Sequence, residues 1–303
     1  MSFSITILGS SSALPTSTRF PTAQLVNHDE QFFLIDCGEG TQIQLRRLKK
    51  KFGKINHIFI SHLHGDHVFG LFGLLSSFSL LGRKNDLHLY GNSLLKDIIA
   101  DYLKYFGAGF SFSIIHHSFG VKSIQEIYED KKLTISVLPL KHRIPCVGFI
   151  FKEKAKERNM KKEMITKYQI PISKIVSIKQ GEDLVTENKE LIPNDFITTP
   201  PVAPRSFAFI TDTRYTESII KHIQDVNLLY HEATFASGNS TLAKETYHST
   251  SVQAAAIAKA AHAKKLIIGH FSTRYKDLSI LLDEARTIFP ETFLAEEGLE
   301  FEV

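Results

Sequence analysis

Three histidines and an aspartate stand within six residues, His62-Leu63-His64-Gly65-Asp66-His67, between an apolar run, Ile58-Phe59-Ile60, and a helical pattern opening at Val68-Phe69-Gly70-Leu71. No regular helix or strand presents four such groups on one face. The chain must turn here and let the side chains diverge toward adjacent metal ions. Imidazole and carboxylate suit Zn²⁺, with bonds of about 2.0–2.2 Å. A lone histidine is by default an ordinary core or surface residue, but this density of donors is a ligand set.

Further donors recur in one local setting. Residues 133–138 form an apolar run ending in Pro139-Leu140-Lys141-His142; residues 206–211 lead into Asp212 and residues 266–269 into His270. Each donor follows the carboxyl end of an expected strand, where the sites of α/β sheets collect. Taken with the loop, His62, His64, Asp66, His67, His142, Asp212 and His270 are expected to converge on one rim. Other strands are expected at 4–8, 31–36, 57–60, 147–151 and 228–231. Helices are expected at 39–50, 69–81, 94–106, 216–223, 251–262 and 277–288. The alternation is that of an α/β protein.

With 43% hydrophobic residues, 23 of them Phe, the 303-residue chain can bury a large interior. No window approaches the roughly 18 apolar residues of a membrane span, and the amino end lacks the basic start of a secretion signal. A soluble, cytoplasmic protein is expected. Cys37 and Cys146 offer no disulfide framework. The net charge of +4 is unevenly spread: residues 41–54 carry six basic residues and no acid, and residues 152–179 carry nine against three. Clusters of this kind fit either a polyanionic partner or a solvated lysine face. Residues 152–205, rich in Lys and Glu and ending in Thr199-Pro200-Pro201-Val202-Ala203-Pro204, read as an arm inserted in one catalytic domain spanning 1–303.

The His62–His67 loop resembles the HxHxDH signature of the metallo-β-lactamase superfamily. More narrowly, the chain resembles the ribonuclease Z family, tRNA 3′-processing endonucleases, in its short form. The matching pieces are Leu8-Gly9-Ser10, Asp36-Cys37-Gly38-Glu39-Gly40-Thr41-Gln42, Thr211-Asp212-Thr213-Arg214, His231-Glu232-Ala233-Thr234-Phe235, His248-Ser249-Thr250 and Gly269-His270-Phe271-Ser272-Thr273-Arg274-Tyr275. The resemblance implies an αββα four-layer sandwich with a protruding arm and two Zn²⁺ per subunit, which Mn²⁺ can replace. It puts His62, His64 and His142 on one ion, Asp66, His67 and His270 on the other, and Asp212 between them. Two ions about 3.5–4 Å apart would generate hydroxide and neutralise the attacked phosphate. Asp66 would serve as general base and His248, supported by Glu232, as general acid for the leaving 3′ oxygen. Ser272, Arg274, Lys161 and Lys162 would contact precursor tRNA, and the enzyme would be a homodimer.

Two segments depart from the family pattern. The loop after the first strand reads Pro15-Thr16-Ser17-Thr18-Arg19-Phe20 where Pro-x-Lys-x-Arg-Asn is common, and the arm has no Gly-Pro element near Gln169-Ile170-Pro171-Ile172-Ser173. The loop signature alone also admits another hydrolase of this fold, a phosphodiesterase or thioesterase, and a non-catalytic RNA-binding relative.

Overall fold

The computed structural model describes residues 2–303. It divides into two compact units, one of residues up to 129, 134–151 and 206–303, the other of 130–133 and 152–205. In the first unit, the buried strand β1 (Phe3–Gly9) pairs antiparallel with β2 (Ala23–His28). A two-residue turn at Asp29-Glu30, both at positive φ, leads into β3 (Gln31–Ile35), as tight hairpins require. After it come α1 (Thr41–Arg47), β4 (Ile55–Phe59), α2 (Gly65–Leu80), β5 (Leu87–Gly91), α3 (Ser93–Phe106) and β6 (Ile114–Ser118). From β3 to β6 the pairing is parallel, as helical crossovers dictate. Leu45 of α1, Leu71, Leu75 and Phe78 of α2 and Leu95 of α3 pack on Leu34, Ile58 and Leu89 in one buried cluster. Each such side chain contributes about 1.5–3 kcal/mol.

The opposite face of this sheet meets a second one. Strands β7 (Gln125–Glu129), β8 (Leu133–Pro139) and β9 (Val147–Glu153) begin it. Phe59 packs edge-on against Phe149 at 5.6 Å between ring centres, and Phe33 against Phe151 at 6.0 Å. The chain then forms the second unit: β10 (Asn159–Met160), α4 (Lys162–Lys167), α5 (Ile172–Lys179), β11 (Leu184–Val185), β12 (Leu191–Ile192), α6 (Asn194–Ile197) and β13 (Thr198–Thr199). Its core is small, built on Ile170, Ile178, Leu184, Ile192 and Ile197. Arg205 closes its base by donating from N, Nε and Nη2 to the Glu153 carboxylate.

The remaining elements of the first unit are β14 (Ser206–Ile210), β15 (Leu228–Glu232), α7 (Ser240–Thr246), α8 (Ser251–Ala260), β16 (Lys265–Gly269), α9 (Ser279–Arg286), β17 (Thr292–Leu294) and β18 (Glu300–Glu302). The second sheet runs β17-β16-β15-β14-β9-β8-β7 and the first β18-β1-β2-β3-β4-β5-β6, seven strands each. With α1–α3 on one outer face and α8 and α9 on the other, this unit has the expected αββα layering.

Local differences from the sequence reading have physical causes. The expected helix at 216–223 is only a 3₁₀ run, Glu217–His222, its entry set by extended Thr216. The helix expected from 39 starts at Thr41, after Gly40 at φ +83°. The helix expected from 69 begins at Gly65, so Asp66 and His67 form its first turn rather than part of a loop. Strands β2, β5, β6, β7, β10, β11, β12, β13, β17 and β18 have no counterpart among the expected strands; β6 carries His116 and His117 and lacks an apolar alternation.

Candidate metal centre

The carboxyl ends of β4, β8, β14 and β16 deliver the donors to one rim of the first unit. His62 and His64 follow β4, and α2 opens with Asp66 and His67. Gly38 and Gly70 let the segment after β3 press against this turn: a Cβ at Gly70 would lie 2.0 Å from the Gly38 carbonyl oxygen. Cys37 N donates to the His67 carbonyl and Gly70 N to the Cys37 carbonyl. His142 follows β8, Asp212 follows β14, and His270 follows β16 at φ +60°.

The donors form two groups sharing Asp212. His64 Nδ1 lies 3.0 Å from His62 Nε2 and 3.1 Å from His142 Nε2, and Asp212 Oδ2 is 3.6 and 3.5 Å from those two Nε2 atoms. Asp66 Oδ2 lies 3.5 Å from His67 Nε2 and 3.4 Å from His270 Nε2, while Asp212 Oδ1 is 3.4 and 3.2 Å from the same nitrogens. In a tetrahedral site with bonds of about 2.0–2.1 Å, neighbouring ligand atoms stand roughly 3.3 Å apart. Both groups therefore have the spacing of a coordination shell, and Asp212 offers one oxygen to each.

Other features fit cations here. His67 Nε2 is buried without a hydrogen-bond partner, pointing at the gap between the two carboxylates. Four of the five rings are fixed through their other nitrogen, as metal-binding imidazoles are: His67 Nδ1 to Asp36 Oδ2 at 2.7 Å, His62 Nδ1 to Ser61 Oγ at 3.0 Å, His142 Nδ1 to the Tyr247 carbonyl at 3.1 Å and His270 Nδ1 to Thr234 Oγ1 at 2.9 Å. Burial holds His62, His64 and His142 below the usual imidazole range, in the neutral form that coordinates. Burial opposes charge on His67 too, yet Asp66, Asp212 and Asp36 raise it well above that range. Burial opposes charge on Asp66 and Asp212 as well, but His67 and His270 at Asp66, and His270, His67 and His62 at Asp212, overcome it and hold both well below the carboxylate range. The cluster is thus built around negative charge that calls for cations.

His248 stands beside this cluster, its Nδ1 donating to Glu232 Oε1 at 3.0 Å and lying 4.0 Å from Asp212 Oδ2. Burial opposes its charge, but Glu232, Asp212 and Asp66 prevail and raise it to about 9. Glu232, the fully buried end of β15, also accepts from Thr213 N, Ser249 N, Thr234 N and Thr234 Oγ1. These bonds leave it no freedom to turn away from His248.

An open cavity of about 700 Å³ gives onto His64, Asp66, His142, Asp212, His248 and His270. Ser272 and Arg274 line it as well. Lys161 and Lys162 belong to the second unit. Lys161 Nζ donates to the carbonyls of Phe196 and Asp195, at 2.8 and 3.3 Å, while Lys162 is exposed. In the basic segment 41–54, Lys50 and Lys54 pair with Glu300 and Glu30. Five supporting groups had no assigned role in the sequence: Asp36, Ser61 Oγ, Thr234, the Tyr247 carbonyl, and Ala13 N, which donates to Asp66 Oδ2 at 2.8 Å. Asp36 carried a signal, an acid just beyond β3 in the setting of the other donors.

Comparisons with known proteins agree with this geometry. A family model described as anti-Pycsar protein Apyc1 matches residues 3–177. Ribonuclease Z of Bacteroides thetaiotaomicron is 48% identical over 297 residues, 98% of this chain and 94% of that one. Among solved structures, the short form of human tRNase Z is 27% identical, with a TM-score of 0.72 and 98% of each chain covered. The metallo-β-lactamase fold protein YhfI of Bacillus subtilis, at 19% identity, TM-score 0.70 and 100% of each chain, shows the fold alone. The chain belongs to the ribonuclease Z family and, through residues 3–177, to the family that the Apyc1 model describes, and its fold is the metallo-β-lactamase fold.

Proposed function

We propose that this chain is a metal-dependent endoribonuclease that removes the 3′ trailer of precursor tRNA. The observation that carries the reading is the placing of His248, locked by Glu232, beside the two donor groups and over one cavity, in a chain so close to ribonuclease Z. His62, His64, His142 and Asp212 would hold one Zn²⁺ and Asp66, His67, His270 and Asp212 a second, with Mn²⁺ able to substitute. Bound cations supply Lewis acidity, lowering the proton affinity of water and neutralising phosphate charge.

The side chains handle the protons. Asp66, held ionised, would serve as the general base for the attacking water. His248, protonated at neutral pH, uses Nδ1 on Glu232 and keeps Nε2 for the leaving 3′ oxygen. Alkoxide departure needs this proton. Ser272 and Arg274 line the path of the RNA, and the lysines of the second unit, Lys161 and Lys162 among them, supply attraction for its phosphates. No helix among the described residues is long and apolar enough to cross a membrane; we place the enzyme in the cytoplasm as a homodimer.

Incubation with a 3′-extended precursor tRNA, with and without chelator, tests the reading. A single cut leaving a 3′ hydroxyl, lost on chelation and restored by Zn²⁺ or Mn²⁺, is expected. A metal-loaded protein that leaves the precursor intact yet hydrolyses small esters would move the assignment to another hydrolase of this fold.

A further inference from the structure

Beyond His248 lies a second, smaller cavity of about 370 Å³, lined by Arg214, Tyr215, Ser240, Thr241, Lys244 and Gln253 and sharing His248 with the catalytic cavity. We propose that this cavity is a phosphate subsite that binds the phosphodiester one nucleotide 5′ of the scissile bond, with Arg214 as its main ligand. The inference rests on the tRNA-cleaving reading above.

The lining is cationic and hydroxylic. Arg214 and Lys244 contribute charge, Ser240 and Thr241 hydroxyls, and no carboxylate lines it. Neither cation forms an ion pair among the described residues, whereas Arg158, Lys179 and Arg205 each do. A guanidinium has five N–H donors, and here Nη2 donates to the Lys244 carbonyl at 3.3 Å. Nε is enclosed without a partner. The group is nonetheless held in place, its central carbon 4.1 Å from the centre of the Tyr247 ring, a cation–π stack. A fixed, planar, partly unsatisfied guanidinium is a receptor for a phosphate's paired oxygens.

Direction follows from the chemistry. His248 protonates the leaving 3′ oxygen, so the nucleotide that owns this oxygen sits at His248. The next negative charge on that nucleotide is its 5′ phosphate. A strand leaving the metal centre past His248 enters the cavity where Arg214 and Lys244 wait. This subsite would register the strand so that the correct 3′ oxygen meets His248.

The test uses precursor tRNAs carrying one uncharged methylphosphonate at successive linkages upstream of the cut. In the wild-type enzyme, neutralising the linkage one nucleotide 5′ of the cut should lower kcat/KM by about 10–100-fold, the range of a lost charge-assisted hydrogen bond, and the next linkages upstream should matter far less. Arg214→Ala should lose a similar factor on the unmodified precursor and almost nothing more on the methylphosphonate one. Lys244→Ala should show a weaker form of the same non-additivity. Metal content is measured in both variants, because Arg214 is two residues from Asp212. A flat methylphosphonate profile in wild type, or full additivity in a metal-replete Arg214→Ala, overturns the subsite. Failure of the wild type to cut the unmodified precursor instead overturns the functional reading beneath it.

Discussion

The metal centre and the second unit use polar residues in opposite ways. At the centre the side chains of His67, Asp212 and Glu232 are almost wholly buried, and the rings of His62, His67, His142 and His270 each have a fixed partner on the far nitrogen. In the second unit Lys162, Lys167 and Lys174 are exposed, and the Arg158–Asp195 and Lys179–Glu157 pairs are open to water, where such pairs contribute about 0–1 kcal/mol. Bond chemistry needs atoms fixed to a fraction of an ångström, whereas attraction of a polyanion needs only charge nearby. One change should therefore be ruinous at the centre and minor in the second unit.

The largest effect is expected from Asp212→Ala, which removes both oxygens of the carboxylate shared by the two donor groups. Activity on precursor tRNA should vanish and bound metal should fall, as read by elemental analysis; exhaustive chelation of the wild type should have the same effect. Full activity in a metal-free preparation would break the contrast at its strongest point. His248→Ala comes next, with turnover lowered by about 10²–10⁴ and metal content retained. Loss of metal in that variant would make His248 a ligand and not the acid.

Glu232→Gln sharpens the role of the buried carboxylate. The acid form of His248 exists below its pKa, so cleavage should decline as pH rises through about 9. Glu232 is the chief group raising that value, so its neutral isostere should move the alkaline limb downward. The loss at neutral pH should be smaller than in His248→Ala. A pH–rate profile with an unmoved alkaline limb would detach Glu232 from the proton transfer.

The same contrast explains what could be read from sequence. His62, His64, Asp66 and His67 are contiguous, and His142, Asp212 and His270 each follow an apolar run, so local pattern exposed them. The hold on these ligands is tertiary and was not exposed: Thr234 meets His270 across 36 positions and Tyr247 meets His142 across 105. Arg214 was visible only as part of a motif, because its stacking on Tyr247 depends on α7 ending in a left-handed residue, Tyr247 at φ +62°. Strands β5 and β6 eluded the hydrophobic pattern because His88, His116 and His117 interrupt it. The second unit showed its charge but not its small core, whose apolar residues are scattered through short elements.

The smallest effect is expected from neutralising exposed lysines of the second unit. Lys162→Gln, Lys167→Gln and Lys174→Gln should each leave thermal stability nearly unchanged, since substitutions at exposed sites shift it by about 0.5 kcal/mol or less. Lys167 also lies over the Tyr168 and Phe196 rings, at 5.1 and 5.8 Å from their centres, so its variant should be the least neutral of the three. If these ammonium groups meet RNA phosphates, each loss should reduce the log–log salt dependence of tRNA binding by roughly 0.7–0.9. KM should rise a few-fold and kcat stay constant, because no atom of the metal centre has moved. Combining the three should add, as distant independent sites do. Lys161 is the internal control: its ammonium group already donates to two backbone carbonyls, so Lys161→Gln should cost more stability and less salt dependence than Lys162→Gln. Equal salt slopes in all four variants and wild type would mean that these lysines only solvate the unit, and the contrast would then lie between a catalytic centre and an inert surface.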